Sequence, residues 1–403
     1  MHVLRLHALL LSAVLTVPFA ANAAPPPTSL QALLEQAWLR SPAGRGLAAR
    51  QGEIDAARDL SGSWIAGNPV LGLSQRSGLG NAQDSVREAE VSLSAPFWTP
   101  GQRSARRSLA DYSAIELQAH IRKMRLDIAG EVRTRLWDAA SAQALLEEKE
   151  GHLHHTEELG EEVWRRVKAG ELARVDGLLT DQELQAARIA VEQAKAQALM
   201  SMSRLTIFTG SNAPLPLEPE PLAAAASTPD ARVAAAQATE SRTQAALRLA
   251  RATRSAPPTL SLSVRNERDR LLGAPERSIG VSLHVPIGSA GRNRPAEAQA
   301  RTQIAIAAAE AQQTTDVTLA ELELAGRQLE HARAALEAAH ARVNAMREHH
   351  LLIEKAFRLG ERGLADLLRS RALAHEAQVA QRQQQVALGR AHAQFNQASG
   401  VLP

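Results

Sequence analysis

An internal duplication constrains this chain more than any other feature. Two short turns with a shared Gly, Glu and Asp interrupt long helical tracts, and they lie 190 residues apart, as from Gly170 to Gly360. The matching residues are Gly170, Glu171 and Asp176 in the first copy and Gly360, Glu361 and Asp366 in the second. The same offset pairs VSLSAP, from Val91, with VSLHVP, from Val281. A repeat of this length is a structural unit, so the fold must hold two copies of one unit.

Each copy contains a helical tract of unusual length. The stretch from Gly101 to Lys168 has no proline, and at 1.5 Å per residue it predicts a helix of about 100 Å. The second copy predicts its counterpart over residues 292–359. Apolar residues there alternate in steps of three and four, at Leu322, Ala325, Leu329, Ala332, Leu336, Ala339, Val343 and Met346. This spacing predicts a coiled-coil seam.

Four short segments alternate between apolar and polar or small residues. They predict two β-hairpins, at about 69–95 and 258–286. The apolar positions are Leu71 and Leu73; Ala89, Val91, Leu93 and Ala95; Leu260, Leu262 and Val264; and Ile279, Val281, Leu283 and Val285. Such strands fit either soluble hairpins packed on helices or the wall of a membrane β-barrel. Four strands cannot close a barrel, so the membrane interpretation requires several chains to share one.

These patterns together predict a mainly α fold with a small β part, built as a tandem repeat. The N-terminus combines Arg5, an apolar run and a small-residue cleavage site, which predicts a signal peptide over 1–23. The first repeat, 24–210, contains a helix over 29–65, a hairpin, the long helix 101–168, a tip at 169–175 and a return helix. A Pro-rich connector follows at 211–228. The second repeat, 229–403, contains a helix over 229–253, a hairpin, the long helix 292–359, a tip at 360–365 and a return helix.

Composition excludes several classes of function. The 46 basic and 43 acidic residues are interspersed, which argues against nucleic acid as a partner. Cysteine is absent, so the chain has no disulfide framework, thiol nucleophile or Cys zinc site. The sequence has no Gly-rich phosphate loop, no G-x-S-x-G and no H-E-x-x-H motif. It therefore offers no candidate catalytic residue, and an enzyme is the least favoured class.

The chain resembles the TolC family of outer-membrane efflux proteins over nearly its whole mature length. The resemblance is carried by the tandem halves, by NPVLGLS before the first hairpin, by the junctions LSAPFWTPGQRSARR and LHVPIGSAGRNR, and by the turns AGELARVDGLL and LGERGLADLL. Within the family, NPVLGLS and PFWTPGQR are more similar to the heavy-metal (Czc or Cus) branch.

The resemblance implies a homotrimer in the outer membrane of a Gram-negative cell. Three chains would share a 12-stranded β-barrel, and their long helices would form a periplasmic α-helical barrel. The trimer would be the passive duct of a tripartite efflux system, with a periplasmic adaptor (membrane fusion) protein and an inner-membrane pump of the RND type. The duct itself would use no cofactor and catalyse no reaction. Metal cations are favoured as substrates over drugs. The alternatives are a periplasmic coiled-coil scaffold or adaptor, and a type I protein secretion duct.

Site residues follow from the same resemblance. Gly170, Glu171 and Asp176 would form one adaptor-docking tip, and Gly360, Glu361 and Asp366 the other. At the pore, Asp366 would contribute to a ring of carboxylates, and Arg362 would pair with Asp176 to hold the tip closed. Phe357 and Arg369 replace a Tyr and an acid of the family gate, so a Tyr latch and a second acidic ring are not expected. Helix capping is the alternative role for both Asp residues.

Histidines near both tips raise the question of a metal site. His152 and His155 lie on neighbouring helical positions, and His349 and His350 lie at a similar height in the second copy. A solvated helix face is the favoured interpretation, and a transient metal site near the duct entrance is the alternative.

Overall fold

The computed structural model describes residues 29–77, 87–211, 219–223, 229–268, 275–288 and 290–403. The predicted signal peptide and most of the predicted connector lie outside these residues. The helices are α1 (Leu30–Arg40), α2 (Pro42–Gly62), α3 (Gln102–Lys168), α4 (Arg174–Thr209), α5 (Ala231–Ala252), α6 (Ala290–Arg358) and α7 (Leu364–Ala398). The strands are β1 (Val70–Ser77), β2 (Arg87–Pro96), β3 (Thr259–Arg268) and β4 (Glu276–His284). The predicted fold class, mainly α with a small β part in tandem repeats, is confirmed.

Two long helical hairpins form most of the molecule. Helix α3 has 67 residues and α6 has 69, so each is about 100 Å long. Each is followed by an antiparallel partner of about half that length, α4 with 36 residues and α7 with 35. Helix α5 packs against both α3 and α6, and α7 packs against α3 as well as α6. The two repeats therefore lie side by side rather than as separate domains.

The predicted coiled-coil seam on α6 is confirmed. Every seam position is buried or half-buried, with Ala325, Leu329 and Ala339 the most enclosed. On α3, Val132 and Ala139 belong to the largest apolar cluster, which α1 and α4 complete. Small alanine side chains let the helix axes approach closely, which explains how a chain with few aromatic residues builds a core.

The helix predicted over 29–65 is wrong as a single element, because α1 and α2 meet at a break. Ser41 is extended, with φ −65° and ψ 122°, and its Oγ accepts a hydrogen bond from the Gly44 backbone N–H at 3.3 Å. Pro42 lacks an N–H and disfavours helical geometry in the residue before it, so the chain ends one helix and caps the next.

The two hairpins form one antiparallel sheet in the order β1-β2-β3-β4. Pairing of β2 with β3 joins the first repeat to the second. The register places apolar residues in rows across all four strands. One row is Leu71, Leu93, Leu262 and Val281, and the next is Leu73, Val91, Val264 and Ile279. The opposite face carries Ser, Gly, Glu and Arg residues.

A buried arginine joins the connector to the helices of both repeats. Arg133 on α3 is 3% exposed and makes a bidentate contact with the Glu220 carboxylate, with distances of 3.0–3.2 Å. It also donates to the side-chain oxygen of Gln397 at 2.8 Å and to the Val401 carbonyl at 3.1 Å. Because a guanidinium without partners is costly to bury, this network fixes how the chain crosses between repeats.

Helices α3 and α7 come into close contact at Trp137. The indole is 3% exposed and covers Gly389, where an added Cβ would overlap the Trp137 ring. We expect Gly389→Ala to destabilise the protein by about 1–3 kcal/mol through overpacking. Thermal unfolding of the purified chain would show a lower Tm.

Gly326→Ala is the matched control, because Gly326 also lies within a long helix and an added Cβ there would meet nothing closer than Phe395 at 4.0 Å. The higher helix propensity of alanine should leave this variant as stable as the parent or more so. Equal Tm values for the two variants would contradict the close α3–α7 packing.

Candidate functional site

The two Gly-Glu turns have the same backbone geometry. The Gly170 N–H donates to the Val167 carbonyl at 3.1 Å, and the Glu171 N–H donates to the Arg166 carbonyl at 2.9 Å. The second turn repeats both bonds, from Gly360 to Phe357 at 3.0 Å and from Glu361 to Ala356 at 2.9 Å. This is the Schellman pattern, which ends a helix by satisfying its last carbonyl groups.

Glycine is required at both turns for its backbone conformation. Gly170 has φ 81° and Gly360 has φ 78°, in the left-handed region that other residues avoid. A Cβ added at either position would meet nothing within 4 Å, so steric crowding is not the reason. Glu171 and Glu361 follow with exposed side chains. Each tip therefore presents a carboxylate on a sharply turned, exposed backbone.

The two aspartates differ although they occupy equivalent positions. Asp176 accepts a hydrogen bond from the Ala173 backbone N–H at 3.2 Å, which caps the start of α4. Asp366 instead lies 3.7 Å from the Arg362 guanidinium, one turn earlier, and half of its side chain is exposed. The duplication therefore preserves the residue type while the local contacts diverge.

The predicted pairing of Arg362 with Asp176 is not found within the chain, because Arg362 contacts Asp366 and Asp176 caps α4. The proposed role of this pair in holding the tip closed stays a prediction. Phe357 makes one contact between the two tips, since the Arg166 guanidinium lies over its ring at 5.4 Å from the centroid. A cation–π contact thus connects the end of α3 to the end of α6.

Exposed apolar residues at the start of α4 were not identified from the sequence. Val175, Leu178 and Leu179 are 67%, 54% and 59% exposed, and Leu359 at the other tip is 66% exposed. The first three share one face of the helix, at spacings of three and four. Their apolar spacing was visible in the sequence, but only the structure shows that nothing in the described chain covers it. Exposed apolar residues grouped in this way indicate a surface that binds a partner.

The predicted histidines fall into two groups. His152 and His155 on α3 lie beside His375 on α7, with ring centroids 5.6 Å apart for His152–His375 and 6.0 Å for His155–His375. His350 contacts the Ser370 hydroxyl at 3.1 Å, and His349 is exposed. His375 was missed because it is distant in sequence and on the other repeat. The described residues contain no preassembled group of three or more metal ligands.

Burial lowers the pKa of His375, and the neighbouring His152 and His155 add to this effect. As the pH falls below the ordinary value of about 6.5, His375 is therefore protonated in the unfolded chain before it is protonated in the folded chain. The folded state is not penalised by this histidine above that pH, and it loses stability as the pH falls from there toward the folded pKa.

Residues 35–211 match the family model described as "Outer membrane efflux protein". The matched region corresponds to the first repeat and is less than half of the chain. Comparison with curated protein sequences gives no significant match.

Solved structures show the same fold over nearly the whole chain. A membrane protein from Pseudomonas aeruginosa has a TM-score of 0.73 at 17% identity, covering 93% of this chain and 94% of that one. CusC, described in the context of transmembrane channel formation, has a TM-score of 0.73 at 14% identity, covering 92% of each chain. The outer membrane protein VceC from Vibrio cholerae has a TM-score of 0.71 at 16% identity, covering 92% and 96%. The fold is thus that of outer-membrane channel proteins.

The different contacts of the two aspartates separate capping from other roles. We expect Asp176→Ala to lower the free energy of unfolding by about 1 kcal/mol, because the Ala173 N–H loses its acceptor. Asp366→Ala removes only an exposed ion pair and should change stability by less than about 0.5 kcal/mol. Denaturant unfolding measures both. Equal losses would contradict the structural difference between the tips.

Proposed function

We propose that this chain is an outer-membrane efflux channel of the TolC family, acting as a passive trimeric duct. The observation that carries the proposal is the apolar face of the four-stranded sheet. Leu71, Leu73, Val281 and Ile279 are 65–76% exposed there, and no part of the described chain packs over them. A soluble hairpin would bury such a face, whereas a lipid-facing barrel wall requires it.

The edges of the sheet support assembly from several chains. Strands β1 and β4 each pair on one side only within the described chain. Open edges are not tolerated in lipid, so strands from other copies must complete the hydrogen bonding. Three copies would supply twelve strands, enough for a closed barrel with a polar interior. The polar face fits such an interior, because Arg265 forms ion pairs with Glu88 at 3.0 Å and Glu90 at 3.5 Å.

The helices fit the periplasmic part of such a duct. None of those in the described residues is long and apolar enough to cross a membrane. Helices α3 and α6, each about 100 Å long, instead support a conduit extending away from the sheet. The tips at its far end, with exposed Glu171, Glu361 and the apolar patch at Val175, would dock a periplasmic adaptor. An inner-membrane pump of the RND type would then supply the energy, and this chain would catalyse no reaction.

The proposed substrates are metal cations, with drugs as the second class. Because the duct is passive, the pump sets most of the specificity. A deletion strain should become more sensitive to cobalt, zinc, cadmium or copper, and complementation with the intact gene should restore growth. Sensitivity confined to drugs would overturn the metal preference while leaving the duct proposal in place.

The orientation of the sheet can be tested with two adjacent substitutions. Leu262→Arg places a charge on the apolar face, which costs about 2–4 kcal/mol per site at the middle of a bilayer. Ser263→Arg places the same charge on the polar face. We expect the first variant to be depleted from the outer-membrane fraction and the second to remain there as a trimer.

Fractionation with a high-salt wash measures membrane retention, and cross-linking measures the oligomer. A periplasmic scaffold would behave differently: the unsubstituted chain would be released by salt, and neither substitution would change where it is found. That result would overturn the proposed function.

A further inference from the structure

Three histidines from the two repeats meet between α3 and α7. His152 and His155 lie one turn apart on α3, and His375 faces them from α7. We call these three residues the His cluster. They line a cavity of 330 Å³ together with Glu148, Thr156 and Arg371, among other residues. The cluster is separate from the Gly-Glu tips and from the sheet.

The ring spacing is close to that of a shared metal ion. Two imidazole nitrogens bound tetrahedrally to one Zn²⁺ at about 2.1 Å hold their ring centroids on the order of 5 Å apart. The observed separations are 5.6 Å for His152–His375 and 6.0 Å for His155–His375. The first pair is stacked, with an interplanar angle of 22°, so side-chain rotation is needed to direct nitrogens to one point. The helix backbones already place the rings within reach.

His375 has an unused nitrogen inside this cavity. Its Nε2 atom is buried and has no hydrogen-bond partner in the described structure. Buried polar atoms without partners are rare and call for an explanation such as an absent ion or water. An imidazole nitrogen without a hydrogen-bond partner is available to bind a metal.

The charges around the cluster nearly balance. On α3, Glu148 pairs with Lys149 at 2.8 Å, and Glu158 contacts His154 at 3.4 Å and His155 at 3.5 Å. On α7, Arg371 contacts Glu158. Glu376, also on α7, pairs with Arg342 on α6. Glu158 is the carboxylate directly in contact with a cluster ring. A bound cation would therefore gain a nearby negative charge without facing an unpaired positive one.

We propose that His152, His155 and His375 bind one divalent transition-metal cation of the zinc class, which bridges the first repeat to the second. Three imidazoles leave a fourth position for water in the cavity, as in open tetrahedral zinc sites. Such an ion would link α3 to α7 between the Trp137 contact and the tips, and it would restrain the two helical hairpins relative to each other. The site requires only this fold, and it does not depend on the proposed duct function.

Zinc titration of the full chain in detergent, by calorimetry at neutral pH, tests the site. We expect one saturable Zn²⁺ per chain. His375→Ala should weaken binding by at least about 10-fold, since removing even an indirect partner of a metal ligand has that effect. His349→Ala is the matched control, because His349 is an exposed histidine near the same end of the helices. It should leave the affinity unchanged.

A second variant keeps the test valid if His375→Ala alters the fold. His375→Cys introduces the only thiol in the chain, and a thiolate is itself a zinc ligand. This variant should retain zinc binding, and with Co²⁺ it should show a sulfur-to-cobalt charge-transfer band absent from the parent. Binding to the parent should weaken as the pH falls, because protons compete for the imidazoles.

Several results would overturn the proposal. They are the absence of saturable binding to the parent chain, an affinity unchanged by His375→Ala, and an equal loss in His349→Ala. None of these results bears on membrane location or the trimer, so the site and the duct are tested independently.

Discussion

Backbone pairing between β2 and β3 fixes the position of one repeat against the other, and the rest of the architecture depends on it. Each long helix leaves the sheet within a few residues of its hairpin, so the pairing makes α3 and α6 begin at the same end. Their lengths differ by two residues, which brings both Gly-Glu turns to the same distance from the sheet. The contact of Arg166 with the Phe357 ring shows that the two tips do meet. A hydrogen-bonded ladder at one end thus determines the geometry about 100 Å away.

Between these ends, the α3–α7 contact carries features that neither repeat has alone. The Arg133–Glu220 network ties the connector and the C-terminus to α3, the Trp137 ring covers Gly389, and the His cluster lies further toward the tips. The first two contacts are buried and closely packed, so they resist relative movement. In the His cluster, His152 and His155 are exposed and only His375 is half-buried, and the three rings line a cavity. A bound cation would act on the part of the interface that is free to adjust, and it would do so close to the turns proposed to dock a partner.

The sequence predicted the elements with strong periodicity. The seam from Leu322 to Met346, the hairpins and the two turns all follow from local spacing, and the structure contains them. The helix predicted over 29–65 was wrong because the break at Pro42 was overlooked, although proline and Ser41 provide a local signal. His375, Trp137 and the apolar patch at Val175 were missed for a different reason. His375 and Trp137 matter because of the residues that they contact in the other repeat, and the patch matters because nothing in the described chain covers it. A single sequence does not show which distant residues meet.

By itself the sequence determined the duplication, the helix lengths, the alternation of the strands and the glycines at the turns, because each depends on the spacing of residues along the chain. Only the tertiary structure decided that the two hairpins form one sheet with an uncovered apolar face, that Asp176 caps a helix while Asp366 faces Arg362, and that three histidines share a cavity. The physical reason is that burial and pairing across long distances depend on how helices and strands pack, and local periodicity sets only which face of each element is available for that packing.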